Sequence, residues 1–108
     1  MKNILIIGCG LLGSSLVRRI SKKKLAKKIF IYEKSKKNIS KIKRLKLPGT
    51  VVNKLQIAVS QSELIILCTP MSEYKKIIVK INRYLTPKHI ITDIGSSKVR
   101  SLEIIKKI

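Results

Sequence analysis

The stretch Ile4-Leu5-Ile6-Ile7-Gly8-Cys9-Gly10-Leu11-Leu12-Gly13 decides the fold. Four consecutive aliphatic residues read as a short strand buried on both faces. The glycines that follow have the spacing G-x-G-x-x-G. Gly8 permits a tight turn. Gly10 leaves no Cβ between the backbone and an approaching pyrophosphate, and Gly13 lets the next helix lie close to the strand. That helix is announced by Leu12, Leu16, Val17 and Ile20, which recur at helical spacing. Its N-terminus, with the backbone N–H groups of Leu11 and Leu12 unpaired, is a place for an anion.

Working outward, Ile29–Tyr32 is a second strand, closed by Glu33. A basic helix over Lys36–Leu47 should face Ile39, Ile42, Leu45 and the stem of Lys46 inward, and Pro48-Gly49 breaks it. Thr50–Val52 is a third, β-branched strand. Asn53–Ser62 is a weak helix with Leu55 and Ala58 as its buried positions. Leu64–Cys68 is the clearest strand and stops at Thr69-Pro70. Ser72 is placed to cap a helix reaching Tyr84, with Tyr74, Ile77, Ile78, Ile81 and Leu85 on one side. Thr86-Pro87 turns the chain into a fifth strand, Ile90–Asp93, and a last helix is expected from Ser97 to Ile108. Strands alternating with helices imply one α/β domain over residues 1–108: a parallel, Rossmann-type sheet with helices on both faces, strand order 3-2-1-4-5, and ligands at the carboxyl ends of the first and fourth strands.

Glu33 falls 20 residues after Gly13, at the end of the second strand. A carboxylate there can accept hydrogen bonds from both ribose hydroxyls of an adenosine and repels a 2′-phosphate, which favours NAD. Lys34, followed by Ser35, Lys36 and Lys37, can cradle a phosphate, so NADP stays open. Thr69 and Pro70 lie where the fourth strand meets the expected crevice, and they serve either as dinucleotide contacts or as a plain turn.

The formal net charge of +20 would suit a nucleic-acid binder. Yet the 25 basic residues comprise 20 Lys and 5 Arg, matched by 20 Ile, and they are scattered with little aromatic interleaving. That pattern fits A/T-rich coding better than selection for phosphate contacts, so no nucleic-acid partner is expected. Cys9 and Cys68 sit in apolar runs and read as small packed residues in a reduced, cytoplasmic setting. The apolar run before Gly8 is too short for a signal or a membrane span. No metal-ligand spacing is present. His89, the single histidine, precedes the fifth strand and reads as a surface residue at the amino end of the sheet.

Three motifs together resemble the prephenate/arogenate dehydrogenase family. They are Ile6–Leu16 with its glycine loop, the apolar strand ending in Thr69-Pro70, and Thr92-Asp93-Ile94-Gly95-Ser96-Ser97-Lys98, similar to an Asp-x-Gly-Ser-Val-Lys segment. Ser97 stands where Val is usual. The resemblance implies an NAD(P)-dependent oxidative decarboxylation that makes a tyrosine precursor, with prephenate or arogenate as substrate. It places Ser96 beside the substrate hydroxyl. It also implies a catalytic histidine in a His-Pro motif beyond this segment, and a helical second domain through which full-length enzymes form homodimers. Neither occurs in these 108 residues. The chain is therefore expected to be an incomplete dinucleotide-binding part, inactive by itself. A reductase of the imine or β-hydroxyacid type, or a non-catalytic nucleotide sensor, are the alternative readings.

Overall fold

A computed structural model describes residues 3–8 and 11–93. The five strands are β1 (Asn3–Ile7), β2 (Lys28–Tyr32), β3 (Thr50–Val52), β4 (Leu64–Leu67) and β5 (Ile90–Asp93). They form one parallel sheet in the order β3-β2-β1-β4-β5, as the sequence predicts. Between them run α1 (Leu11–Lys22), α2 (Lys36–Arg44), α3 (Leu55–Ser60) and α4 (Tyr74–Ile81). β1 is central, with Ile6 level with Ile31 on one neighbour and Ile66 on the other.

The central parts of β1, β2 and β4 are continuous apolar runs because both faces are covered. Leu5, Ile7, Phe30, Ile65, Leu67 and Ile91 face one way and pack with Leu55, Ala58 and Val59 of α3 and with Tyr74 and Ile81 of α4. Ile4, Ile6, Ile29, Ile31 and Ile66 face the other way, against Val17 and Ile20 of α1 and Ile42 of α2. Each large aliphatic side chain so buried contributes roughly 1.5–3 kcal/mol.

Three local expectations change. α2 ends at Arg44, and Lys46 takes a left-handed conformation (φ 52°). The helical phase breaks there, so Leu45 is exposed and Leu47 turns into the core instead; Lys46 is exposed too. Ser72 is not a helix cap. The chain passes through a 3₁₀ turn, Met71–Glu73, closed by the Glu73 N–H donating to the Pro70 carbonyl at 2.9 Å, and α4 begins after Glu73 without a side-chain cap. α4 also stops at Ile81, and Asn82–Tyr84 is a second 3₁₀ turn. The helix expected from Ser97 lies outside the described residues. No helix among the described residues is long and apolar enough to cross a membrane.

Candidate functional site

Parallel strands with right-handed crossovers bring all five carboxyl ends to one edge, and loops from that edge carry the sequence-predicted site. β1 delivers Gly8, whose φ of 81° is left-handed. Its N–H donates to the Tyr32 carbonyl at 2.8 Å, and one strand over, the Cys68 N–H donates to the Ile7 carbonyl at 2.8 Å. These bonds extend the sheet ladder past the strand ends and hold the turn in place. A Cβ on Gly8 would collide with the Thr69 side-chain methyl and come within 3.2 Å of the Thr69 backbone nitrogen. The end of β4 therefore requires glycine at this position for two separate reasons, conformation and space.

At the end of β2, the Glu33 carboxylate accepts from the Ser35 N–H at 3.1 Å. Ser35 is the N-cap of α2, and its hydroxyl accepts from the Asn38 N–H at 3.4 Å. Glu33 is thus oriented by the turn that follows it, half-buried at the carboxyl edge.

Gly8, Glu33, Lys34 and Thr69 line one cleft at the carboxyl edge, open to solvent at its mouth. Ile7, Tyr32, Leu55 and Ile77 supply its apolar surface, and Glu73, Lys76 and Lys80 its far rim. The sequence marks Leu55 and Ile77 as packed helix positions but places none of these α3 and α4 residues, nor Glu73, at the site. Lys76 and Lys80 have i, i+4 spacing and Ile77 belongs to the apolar side of its helix, but nothing local tells which helix edge meets the cleft. Among the other expected site residues, Leu11, Leu12 and Gly13 occupy the first turn of α1, with Gly13 buried. Pro70 is exposed and does not line the cleft. Cys9, Gly10, Ser96, Ser97 and Lys98 lie outside the described residues.

Thr69 has an unusual feature. Its Oγ1 is buried and has no hydrogen-bond partner among the described residues. Cys68, before it, is half-buried.

His89 lies at the amino edge, as expected, but it is not a free surface residue. The Thr86 N–H donates to its Nδ1 at 2.9 Å, and its Nε2 pairs with the Val59 carbonyl at 2.8 Å. With Nδ1 accepting, Nε2–H donates, so the ring ties the approach to β5 to the end of α3. The residue is half-buried, and the Val59 carbonyl it meets also accepts from the Ser62 N–H at 3.2 Å. Among the described residues no group of three His, Cys, Asp or Glu side chains is placed to hold a metal.

Comparison with known proteins agrees with this geometry. The chain is 30% identical over 105 residues to a cyclohexadienyl dehydrogenase of Zymomonas mobilis, a match covering 97% of this chain and 36% of that protein. It superposes on the crystal structure of Aquifex aeolicus prephenate dehydrogenase, in complex with hydroxyphenyl propionate and NAD+, with a TM-score of 0.78. That likeness has 26% identity and covers 97% of this chain and 38% of the other. A Plasmodium falciparum pyrroline carboxylate reductase with NADP bound shares the fold at TM-score 0.72 and 21% identity, over 95% of this chain and 37% of that one. The resemblance to prephenate/arogenate dehydrogenases read from the sequence is borne out as similarity, and the chain spans little more than a third of the length of these relatives. Over residues 3–97 it matches the family described as NADP oxidoreductase, coenzyme F420-dependent. On that match, across most of its length, the chain belongs to this oxidoreductase family.

Proposed function

We propose that residues 1–108 form the dinucleotide-binding part of a prephenate or arogenate dehydrogenase, with NAD as the preferred cofactor. The observation that carries this reading is the convergence of Gly8, Glu33 and Thr69 on one cleft at the carboxyl edge. The residues present fit the cofactor. Gly8 is a backbone position that a Cβ would close, the first turn of α1 offers N–H groups to a pyrophosphate, and Glu33 offers a carboxylate to a ribose diol. Leu11, Leu12 and Gly13 would hold the pyrophosphate through backbone, with Gly10 beside them. Lys34 would flank the adenosine and Pro70 the turn after β4. The nicotinamide, when bound, would accept the hydride leaving the substrate's hydroxyl-bearing ring carbon. The chain's own part is to bind and orient the two reactants, with Ser96 contacting the substrate hydroxyl by resemblance.

The family description names NADP, and the pyrroline carboxylate reductase carries NADP. Glu33 argues the other way for this chain. Its carboxylate would stand against a 2′-phosphate, at a cost that Lys34 only partly offsets in solvent-exposed surroundings. Titration calorimetry with the 108-residue chain should give tighter binding of NAD than of NADP. Equal or tighter NADP binding would reverse the assignment and give Lys34 the phosphate. Binding of neither would remove the dinucleotide reading altogether. The reductase alternative rests on the shared fold. The segment Thr92–Lys98 favours the dehydrogenase, because a reductase of the imine or β-hydroxyacid type would carry a different sequence after β5.

A further inference from the structure

We infer that the hydroxyl of Thr69 is a reserved hydrogen-bond donor for the oxygen-rich middle of the dinucleotide, its pyrophosphate or an adjoining ribose, and that the free protein gives up stability to keep it. The inference rests on the proposed dinucleotide site and specifies one contact within it. Buried hydroxyls in folded proteins almost always have a partner, and one left without carries a desolvation penalty. Thr69 Oγ1 has none among the described residues. Its position explains what it is held for. The Thr69 methyl packs on Gly8, the first residue of the glycine loop, so the side chain stands where the chain leaves β1, beside the end of β4. The residue as a whole is half-buried and lines the cleft, so a turn about Cα–Cβ separates the covered hydroxyl from the open side. A phosphate or ribose oxygen lying over Gly8 is an acceptor within reach of that turn. Methyl and hydroxyl share one Cβ, so the turn that brings the hydroxyl to the ligand swings the methyl off Gly8; threonine buttresses the glycine turn in the free chain and donates to the ligand in the bound one.

Two substitutions separate these roles. Thr69→Val keeps the shape and removes the donor; Thr69→Ser keeps the donor and removes the methyl. By calorimetry, Thr69→Val should bind NAD roughly tenfold more weakly than the unmodified chain, as for loss of one hydrogen bond. ADP-ribose should show the same loss, and Thr69→Ser should retain the affinity. In thermal unfolding without ligand, Thr69→Val should melt no lower than the unmodified chain, since it replaces an unsatisfied polar atom with an apolar one of the same size. Unchanged NAD affinity in Thr69→Val would overturn the inference, as would equal loss in Thr69→Ser. A lower melting temperature for Thr69→Val would show that the hydroxyl already has a partner within the fold. A loss seen with NAD but not with ADP-ribose would move the contact to the nicotinamide and overturn the assignment to the middle of the molecule. Failure of the unmodified chain to bind NAD would count against the site itself, so the two failures are distinguishable.

Discussion

At the scale of single residues, Gly8 carries the heaviest constraint. Its φ of 81° is a region L-residues enter at a cost of about 1–2 kcal/mol, and the space where a Cβ would stand is filled by Thr69. Gly8→Ala should therefore lower the stability of the chain by at least about 1–2 kcal/mol, read as a shifted urea midpoint with unchanged slope. It should also abolish NAD binding, because relief requires the turn to move away from β4. An unshifted midpoint would mean that the turn adapts freely. The need for glycine here was legible in the sequence from its spacing alone. The second reason for it, the Thr69 methyl, was not, because Gly8 and Thr69 are distant in the chain and meet only through the pairing of β1 with β4. His89 shows the same limit. Its place at the amino edge follows from chain order, but its bond to the Val59 carbonyl depends on how α3 packs beside β5.

At the scale of elements, strand positions were readable to within a residue because each is a short apolar run between turn residues. Helix ends were not, because they depend on backbone conformations that lysine does not advertise. α1 closes with the Leu25 N–H donating to the Ile20 carbonyl at 3.1 Å and the Lys24 N–H to the Ser21 carbonyl at 3.1 Å. This is the Schellman pairing, and it sets Lys24 at φ 53°, where glycine is usual. Lys46 closes α2 with a similar φ, and that reversal is what exchanges Leu45 for Leu47 in the core. Lys24 is exposed and far from the cleft. Lys24→Gly should thus raise stability by about 1 kcal/mol through relief of the left-handed strain. Thermal unfolding should show an upward shift of several degrees with NAD affinity unchanged. A downward shift would mean that the entropy lost by the added glycine outweighs the strain.

At the scale of the whole molecule, the sheet separates two kinds of work. The carboxyl edge gathers the cleft, and the amino edge holds the sequence's single histidine with both ring nitrogens engaged in the fold. Hydride removal from a hydroxyl-bearing carbon needs a proton acceptor within hydrogen-bond reach of that hydroxyl, and a positioned base contributes typically about 10²–10⁴ in rate. The 108-residue chain with NAD and prephenate should accordingly bind the cofactor yet form no NADH above the uncatalysed rate, followed by absorbance. Sustained turnover would show that a base other than histidine serves at the carboxyl edge, and Lys98 would be the first residue to replace. The cleft has one more property. Its far wall is built from α3 and α4, of six and eight residues, which hold their shape only by lying on the sheet. A ligand bridging that wall and the strand ends binds the folded chain and not the unfolded one. By mass action, a free concentration one hundred times the dissociation constant adds about 2.7 kcal/mol. For a domain whose whole margin is of the order of 5–15 kcal/mol, that is a substantial share. The abundance of this polypeptide under proteolysis would then rise and fall with the supply of the small molecule it holds.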